Sequence, residues 1–308
     1  MQPRACATIE ELQEETLEIL VSVLIVSHNC EDALRTCLQS LEGSPDRAQF
    51  EILVVDNASV DGCESIDHEF PEINMLRLPH HCGMTKARNI GLRTAKGDYI
   101  LFLSPDVEVD PGVVTKLVAR LQAETTSLAV CPTVVDENGA VVSVKRSLPT
   151  AAQVSACWQD PWSLPASENF ELHDGKALLL RKHTLQGINY FDARYGEFWG
   201  DVDLAFQIRR AGKKILLLDD LRARQQPGAT LWKPQSARDR AAFAADAANG
   251  AAAYIGKHFS FAAGLWLRIK LSLVALVNTV TFQDFGYSSS LFSRLSGGYK
   301  IDGSSQNL

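Results

Sequence analysis

The sequence predicts an α/β fold: a mostly parallel sheet flanked by helices, with a helical C-terminal extension. Three observations carry this. Short apolar, β-branched runs recur over the first 220 residues, as strands covered on both faces require. Stretches of helical period lie between them. Polar clusters follow the runs, at Ser27-His28-Asn29, Asp56-Asn57-Ala58-Ser59 and Ser104-Pro105-Asp106, and in such sheets ligands sit beyond the carboxyl ends of the strands. The chain has 308 residues, 46% of them apolar, enough for one large domain with a proper core.

Residues 1–20 read as a short tail and an acidic helix on Ile9, Leu12, Leu17 and Leu20. Residues 21–26 (VSVLIV) form the first buried strand. A helix follows with Leu34, Cys37, Leu38 and Leu41 on one face, Asn29 as its cap, and Glu31 and Asp32 in its first turn. Residues 50–55 and 73–78 are the next strands, 84–95 a helix, and 99–103 (YILFL) a fourth strand. Asp110-Pro111 opens a helix whose buried stripe is Val113, Val114, Leu117, Val118 and Leu121. Another strand covers 128–135. From 145 to 170 prolines break the pattern, and with Trp158 and Trp162 the stretch reads as a long functional loop or a small subdomain. A strand at 177–180 and a helix ending at Gly212 follow, then a last strand at 215–218. The predicted divisions are 1–20, a main domain at 21–232, a helical region at 233–292 and a flexible tail at 293–308.

Thirty basic residues stand against 37 acidic ones, a net charge of −7, which argues against wrapping duplex nucleic acid. Seven cysteines without a Cys-x-x-Cys pair point away from a disulfide framework and toward a reducing, cytoplasmic setting. The acidic, polar N-terminus does not read as a secretory signal. Residues 259–282 are strongly apolar but broken by Arg268 and Lys270. Their charge-free part is too short to cross a hydrocarbon layer of about 30 Å. Two readings stand: a helix packed on the main domain or on another subunit, as in a homo-oligomer, or a helix in a membrane interface with Trp266, Arg268 and Lys270 near the headgroups.

Four places carry candidate chemistry. Asp56 closes a buried strand, where a carboxylate either satisfies its own turn or accepts a ligand N–H. Gly83 opens a helix with Lys86 and Arg88 in its first turns. Cations are disfavoured there, so either an anion such as a phosphate sits opposite or both are solvated. No Walker loop and no Gly-x-Gly-x-x-Gly turn is present, which weakens a P-loop ATPase and a dinucleotide dehydrogenase. Asp106 follows YILFL and offers one carboxylate to a divalent cation, or merely a capped turn. Asp201 and Asp203 begin a helix beside Phe198 and Trp199. Acids are comfortable there anyway, but an aromatic wall would raise a carboxyl pKa and suit a sugar ring.

Together these motifs resemble the family 2 glycosyltransferases of the GT-A fold, in particular bacterial enzymes of surface polysaccharide synthesis, rhamnosyltransferase-like ones among them. VSVLIVSHN and FEILVVDNASVDG resemble the family's first two strands, GMTKARNIGLRTAKGDYILFLSPD its helix and metal motif, and FDARYGEFWGDVDLAFQIRRAG its acceptor-side segment. The resemblance implies inverting transfer of a sugar from a nucleotide-diphosphate sugar to a hydroxyl of a saccharide or lipid-linked acceptor. It implies Asp201 as the base, Asp106 holding Mg²⁺ or Mn²⁺, and Arg88 neutralising the phosphates. Ser27, Asn29 and Asp56 would hold the base and ribose. Ser59, Gly83, Lys86, Asn89, Ser104 and Trp199 complete the expected substrate-binding set. Three positions depart from the pattern. Ser104 stands where the metal motif has Asp or Asn, Gly200 where a Glu precedes the base, and Gln225 where a His follows the last strand. They support a rival expectation, a catalytically impaired relative that binds nucleotide sugars. A nucleotidyltransferase would need a basic, Gly-rich loop in place of VSHNCED.

Overall fold

A computed structural model describes residues 20–173, 175–228 and 236–297. The predicted N-terminal helix, the end of the main domain at 229–232 and the tail beyond 297 lie outside the described residues. The elements run β1 (Val21–Ser27), α1 (Glu31–Glu42), β2 (Phe50–Asp56), α2 (Ile66–Glu69), β3 (Asn74–Arg77), α3 (Met84–Thr94), β4 (Tyr99–Leu103), β5 (Val107–Val109), α4 (Val113–Ala123) and β6 (Ser127–Val135). They continue with α5 (Ala151–Ala156), β7 (Ala177–Arg181), α6 (Lys182–Gly187), α7 (Gly200–Arg210), β8 (Lys214–Gln225), α8 (Ala237–His258), α9 (Phe261–Val280) and α10 (Phe285–Ser296).

Eight strands form one sheet in the order β3-β2-β1-β4-β7-β6-β8-β5. Four pairings are parallel. β7 runs antiparallel to both β4 and β6, and β5 antiparallel to β8. The sheet is therefore mixed, and its parallel block is β3-β2-β1-β4. Alternate residues of the central strands feed two cores. Leu24, Val26, Ile100 and Phe102 pack with α3, α7 and the C-terminal helices. Val23, Ile25, Leu101 and Leu103 pack with α1 and α4.

Three local expectations are corrected. Asn29 does not cap α1: Cys30 is the capping residue, and Asp61 Oδ2 accepts the Glu31 N–H at 2.9 Å from the neighbouring loop. The last strand extends beyond 215–218 to Gln225, because Leu221 and Ala223 are buried while Arg222 and Arg224 point outward. A register break opposite Pro132/Thr133 bends it, and its end pairs Val107 with Gln225. Finally, α10 occupies part of the expected tail.

One tight spot makes a fold-level prediction. A Cβ on Gly97 would lie 2.6 Å from the Ser22 nitrogen and the Val21 carbonyl carbon, and backbone in a central strand cannot yield cheaply. Gly97→Ala is expected to lower stability by about 1–3 kcal/mol, read as a lower urea midpoint.

Candidate active site

The carboxyl ends of β1, β2 and β4 meet at one edge of the sheet. Ser27 is in register with Asp56, and Ile25 with Leu103, so Ser27, Asp56 and the turn after Leu103 lie level. Ser27 Oγ is buried and has no hydrogen-bond partner among the described residues. Asp56 Oδ1 accepts the Ser59 N–H at 3.0 Å. Asn29, at φ +49°, donates its N–H to Ser59 Oγ at 3.0 Å and accepts the Val60 N–H at 2.7 Å. Asn29 and Ser59 thus zip two loops together. His28 and His81 stack edge to face at 4.5 Å. Burial lowers both imidazoles, His81 to about 3 with help from His28.

The α3 N-terminus is met by acceptors of the chain itself. Thr85 N–H donates to the Gly196 carbonyl at 3.0 Å, and Met84 N–H to Glu197 Oε1 at 3.1 Å. Gly83, at φ +86°, is required by this approach rather than by a ligand: a Cβ there would lie 3.0 Å from the Gly196 carbonyl carbon. Arg88 is neither solvated nor open to a phosphate. It is buried, stands over the rings of Phe102 (5.1 Å) and Phe191 (5.5 Å), and donates to Asp201 Oδ1 at 2.6 Å. Asn89 is also engaged internally, giving its side-chain N–H to the Phe191 carbonyl at 2.8 Å and accepting the Phe191 N–H at 3.1 Å. Lys86 is half-buried, and its charge acts on Asp246.

Asp201 lies in the first turn of α7, 14% exposed at its side chain and 3.6 Å from His173 Nε2. His173 Nδ1 accepts the Gly175 N–H at 3.0 Å, so a neutral imidazole carries its proton on Nε2, toward the carboxylate. Burial pushes the Asp201 carboxyl upward, but Arg88, then His173, outweigh it and hold the group below its ordinary 3.8. The expected upward shift from an aromatic wall is therefore reversed. Nor does Trp199 wall the carboxylate: at φ +75° it turns away, only 1% exposed, against Tyr254 at 5.7 Å. The Cβ position of Gly250 lies 2.8 Å from its indole, so Trp199 offers no face to a ligand. At Gly200 a Cβ would lie 2.9 Å from Thr85 Oγ1, so a Glu there would require the Thr85 side chain at the start of α3 to move. Asp203 is structural, accepting from Tyr195 (3.1 Å), Gln207 (2.8 Å) and Lys257 (2.9 Å).

Backbone links Asp201 to the metal motif. The Cβ position of Gly175 lies 3.4 Å from Asp201 Oδ2 and 3.5 Å from Trp162, and the Lys176 carbonyl accepts the Ser104 N–H at 2.8 Å. Asp106 is buried; its Oδ2 accepts from Gln225 Nε2 at 2.9 Å, and its Oδ1 has no partner among the described residues. No three His, Cys, Asp or Glu side chains come together as a metal site among those residues. One open carboxylate oxygen fits a cation whose other ligands are phosphates and water.

His173, Glu197 and Asp246 were missed from sequence. The only available signal for Asp246 is its isolation as a carboxylate in the Ala-rich run 241–253. Its Oδ2 accepts the Glu197 N–H at 2.8 Å, which holds the loop leading into α7. Burial raises Asp246 to about 7, and burial together with Asp246 raises Glu197 well above its ordinary value. The folded chain then binds more protons than the unfolded one between 3.8 and about 7. Stability from this site falls as pH rises through that window, by up to about 1.4 kcal/mol per pH unit. Asp246→Asn is expected to shrink the stability difference between about pH 5 and about pH 8, measured by urea denaturation.

Comparison with known proteins fits this geometry. The family model "Glycosyl transferase family 2" matches residues 22–181. The putative glycosyltransferase EpsH of Bacillus subtilis is 30% identical over 114 residues, covering 36% of this chain and 33% of that protein. The N-acetylglucosaminyl-diphospho-decaprenol L-rhamnosyltransferase of Mycobacterium tuberculosis is 24% identical over 220 residues, covering 63% of this chain and 71% of that protein. This chain's match thus spans about a third of the first relative's length. Among solved structures, GalNAc-T7 with UDP, GalNAc and Mn²⁺ aligns at TM-score 0.53 and 18% identity, over 73% of this chain and 47% of that one. S. aureus TarS 1–349 aligns at 0.51 and 16%, over 90% and 92%. These likenesses show a shared GT-A fold. With the family model covering more than half of its length, from the first strand through β7, the chain belongs to glycosyl transferase family 2.

Proposed function

We propose that the chain is an inverting glycosyltransferase that moves a sugar from a nucleoside-diphosphate sugar to a hydroxyl of a saccharide or lipid-linked acceptor. The observation that carries this is Asp201, kept as a carboxylate by Arg88 and joined through Gly175–Lys176 to the sheet edge where Ser27 Oγ and Asp106 Oδ1 lack partners among the described residues. UDP and GDP-Man in structures of similar fold support the donor class. The name of the mycobacterial relative supports a lipid-diphosphate acceptor.

Asp56 and Ser27 hold the nucleoside, and Asn29 and Ser59 set the shape of its loops. Asp201 takes the acceptor hydroxyl proton as the oxygen forms its bond to the anomeric carbon. The bond to the diphosphate breaks on the opposite face, and its electron pair leaves with the phosphate oxygen. A low-pKa base suits a late proton transfer, when the hydroxyl has been acidified by bond formation. Asp106 Oδ1 would hold Mg²⁺ or Mn²⁺, which neutralises charge on the leaving diphosphate, while Gln225 orients the carboxylate.

The rival reading, a binding relative without turnover, draws on the occupation of Asp106 Oδ2 by Gln225 and on the crowding at Gly200. A thermal-shift screen of nucleoside diphosphates and sugar nucleotides, with and without Mn²⁺, tests the site. One nucleotide is expected to raise Tm, Asp56→Ala to abolish the rise, and Asp106→Asn to remove only its Mn²⁺-dependent part. No shift with any nucleotide would overturn both readings. Nucleotide binding without product release over a panel of acceptors would favour the rival.

A further inference from the structure

The C-terminal helices carry a surface that the transfer chemistry does not use. α9 packs Gly264, Leu267, Leu271 and Ala275 inward, and a Cβ on Gly264 would collide with the Ala252 carbonyl oxygen of α8. Its other side is open. Phe261, Leu265, Ile269, Leu273, Val277 and Val280 follow one another every three or four residues, with Phe261 79% and Val280 67% exposed. They form one stripe along a helix about 30 Å long. Trp266, 65% exposed, flanks it, one turn from the exposed Lys270. A contiguous apolar face of this extent marks an interaction surface.

We propose that this face docks on a bilayer containing anionic lipid, with α9 lying in the plane of the interface. Charge selects this occupant. α9 presents the exposed Lys270 and carries no carboxylate, in a chain of net charge −7, which complements anionic headgroups; Arg268 turns inward and donates to the Leu295 carbonyl at 2.8 Å. A second copy fits less well. Lys270 sits at the midpoint of α9, so self-pairing about a two-fold axis sets Lys270 against Lys270. Crossing the bilayer is disfavoured by the inward face, which α8 and α10 already occupy. Trp266 and Lys270 together suit the headgroup boundary.

Val274, 48% exposed, borders both the outer side of α9 and a cavity beneath it. This cavity of about 120 Å³ between α9 and α10 is lined by Leu271, Ala275, Leu291 and Trp158. Four residues after Trp158, Trp162 reaches Gly175 beside Asp201. Delivery of a lipid-linked acceptor along this path rests on the transferase reading; membrane binding itself does not.

Flotation of the full chain with two vesicle types tests the proposal: phosphatidylglycerol mixed with phosphatidylethanolamine, and phosphatidylcholine alone. The wild type is expected to float with the anionic vesicles at least tenfold more than with the neutral ones. Leu273→Glu/Val277→Glu is expected to lose that binding at least tenfold, with the nucleotide-induced thermal shift unchanged. Both positions are exposed, and circular dichroism checks the fold. A wild type that stays at the bottom with both vesicle types overturns the proposal. So does a wild-type dimer that fails to float and that the double variant converts to a monomer, which would assign the face to a second copy. Flotation that persists when no nucleotide binds would leave the membrane surface standing and remove only the transferase reading.

Discussion

Asp201→Asn is expected to lower sugar transfer about a thousandfold, within the range that loss of a general base produces, while the nucleotide-induced thermal shift stays close to wild type. The separation follows from geometry. Asp201 is bound to Arg88 and faces His173, whereas the Ser27 hydroxyl and Asp56 lie at the ends of β1 and β2. Removing the base therefore removes proton transfer without touching the nucleoside. The pH profile carries the same information. Arg88 and His173 keep Asp201 below its ordinary 3.8, so no acid limb from this group is expected at neutral or mildly acidic pH. Wild-type turnover by Asp201→Asn would contradict the assignment.

Arg88→Met should have the largest effect on stability. The substitution leaves a buried carboxylate without its arginine partner and removes the cation from the faces of Phe102 and Phe191; breaking a buried pair from one side costs about 3–5 kcal/mol. It also changes the sign of the Asp201 shift. Burial is the largest influence on that carboxyl and acts upward, so without Arg88 it prevails. The acid limb of the activity profile is expected to move to higher pH than in the wild type. In the wild type the pairing stabilises the fold above the unfolded value of 3.8 and is lost as the pH falls through the lower folded value. Denaturation midpoints and transfer rates measured across pH read both effects. An unshifted acid limb in a folded Arg88→Met variant would show that Arg88 does not tune the base.

Strands with both faces buried were legible because their whole length is apolar: β1, β2 and β4 stand where their runs predict, within a residue. β5 and the second half of β8 were not, since a strand alternating Leu221 and Ala223 with Arg222 and Arg224 reads as a polar loop until its partner is known. The direction of β7 was hidden for a related reason. A buried apolar run looks the same parallel or antiparallel, and only the chain path between β6 and β7 decides it.

At the site, the segments were legible and the partners were not. The sequence around Asp201 marked a candidate base, but adjacency in sequence suggested Trp199 as its neighbour, and one left-handed residue turned that ring into the core. The groups that set the state of Asp201, namely Arg88 and His173, come from α3 and from the segment before β7. Arg88 faces the negative charge of Asp201 in the same chain, while the α3 N-terminus is met by the Gly196 carbonyl and by Glu197, whose carboxyl is raised well above its ordinary value. Pairing across a hundred residues leaves no periodic trace.

The most direct test is a crystal structure of the chain with the nucleoside diphosphate sugar that the thermal-shift screen selects. The expected density places the base against Ser27 and Asp56, the diphosphate beside Asp106 Oδ1, and the anomeric carbon toward Asp201, with room for a hydroxyl between them. A donor bound at another face, or seated at Ser27 and Asp56 with its anomeric carbon turned away from Asp201, would contradict the account.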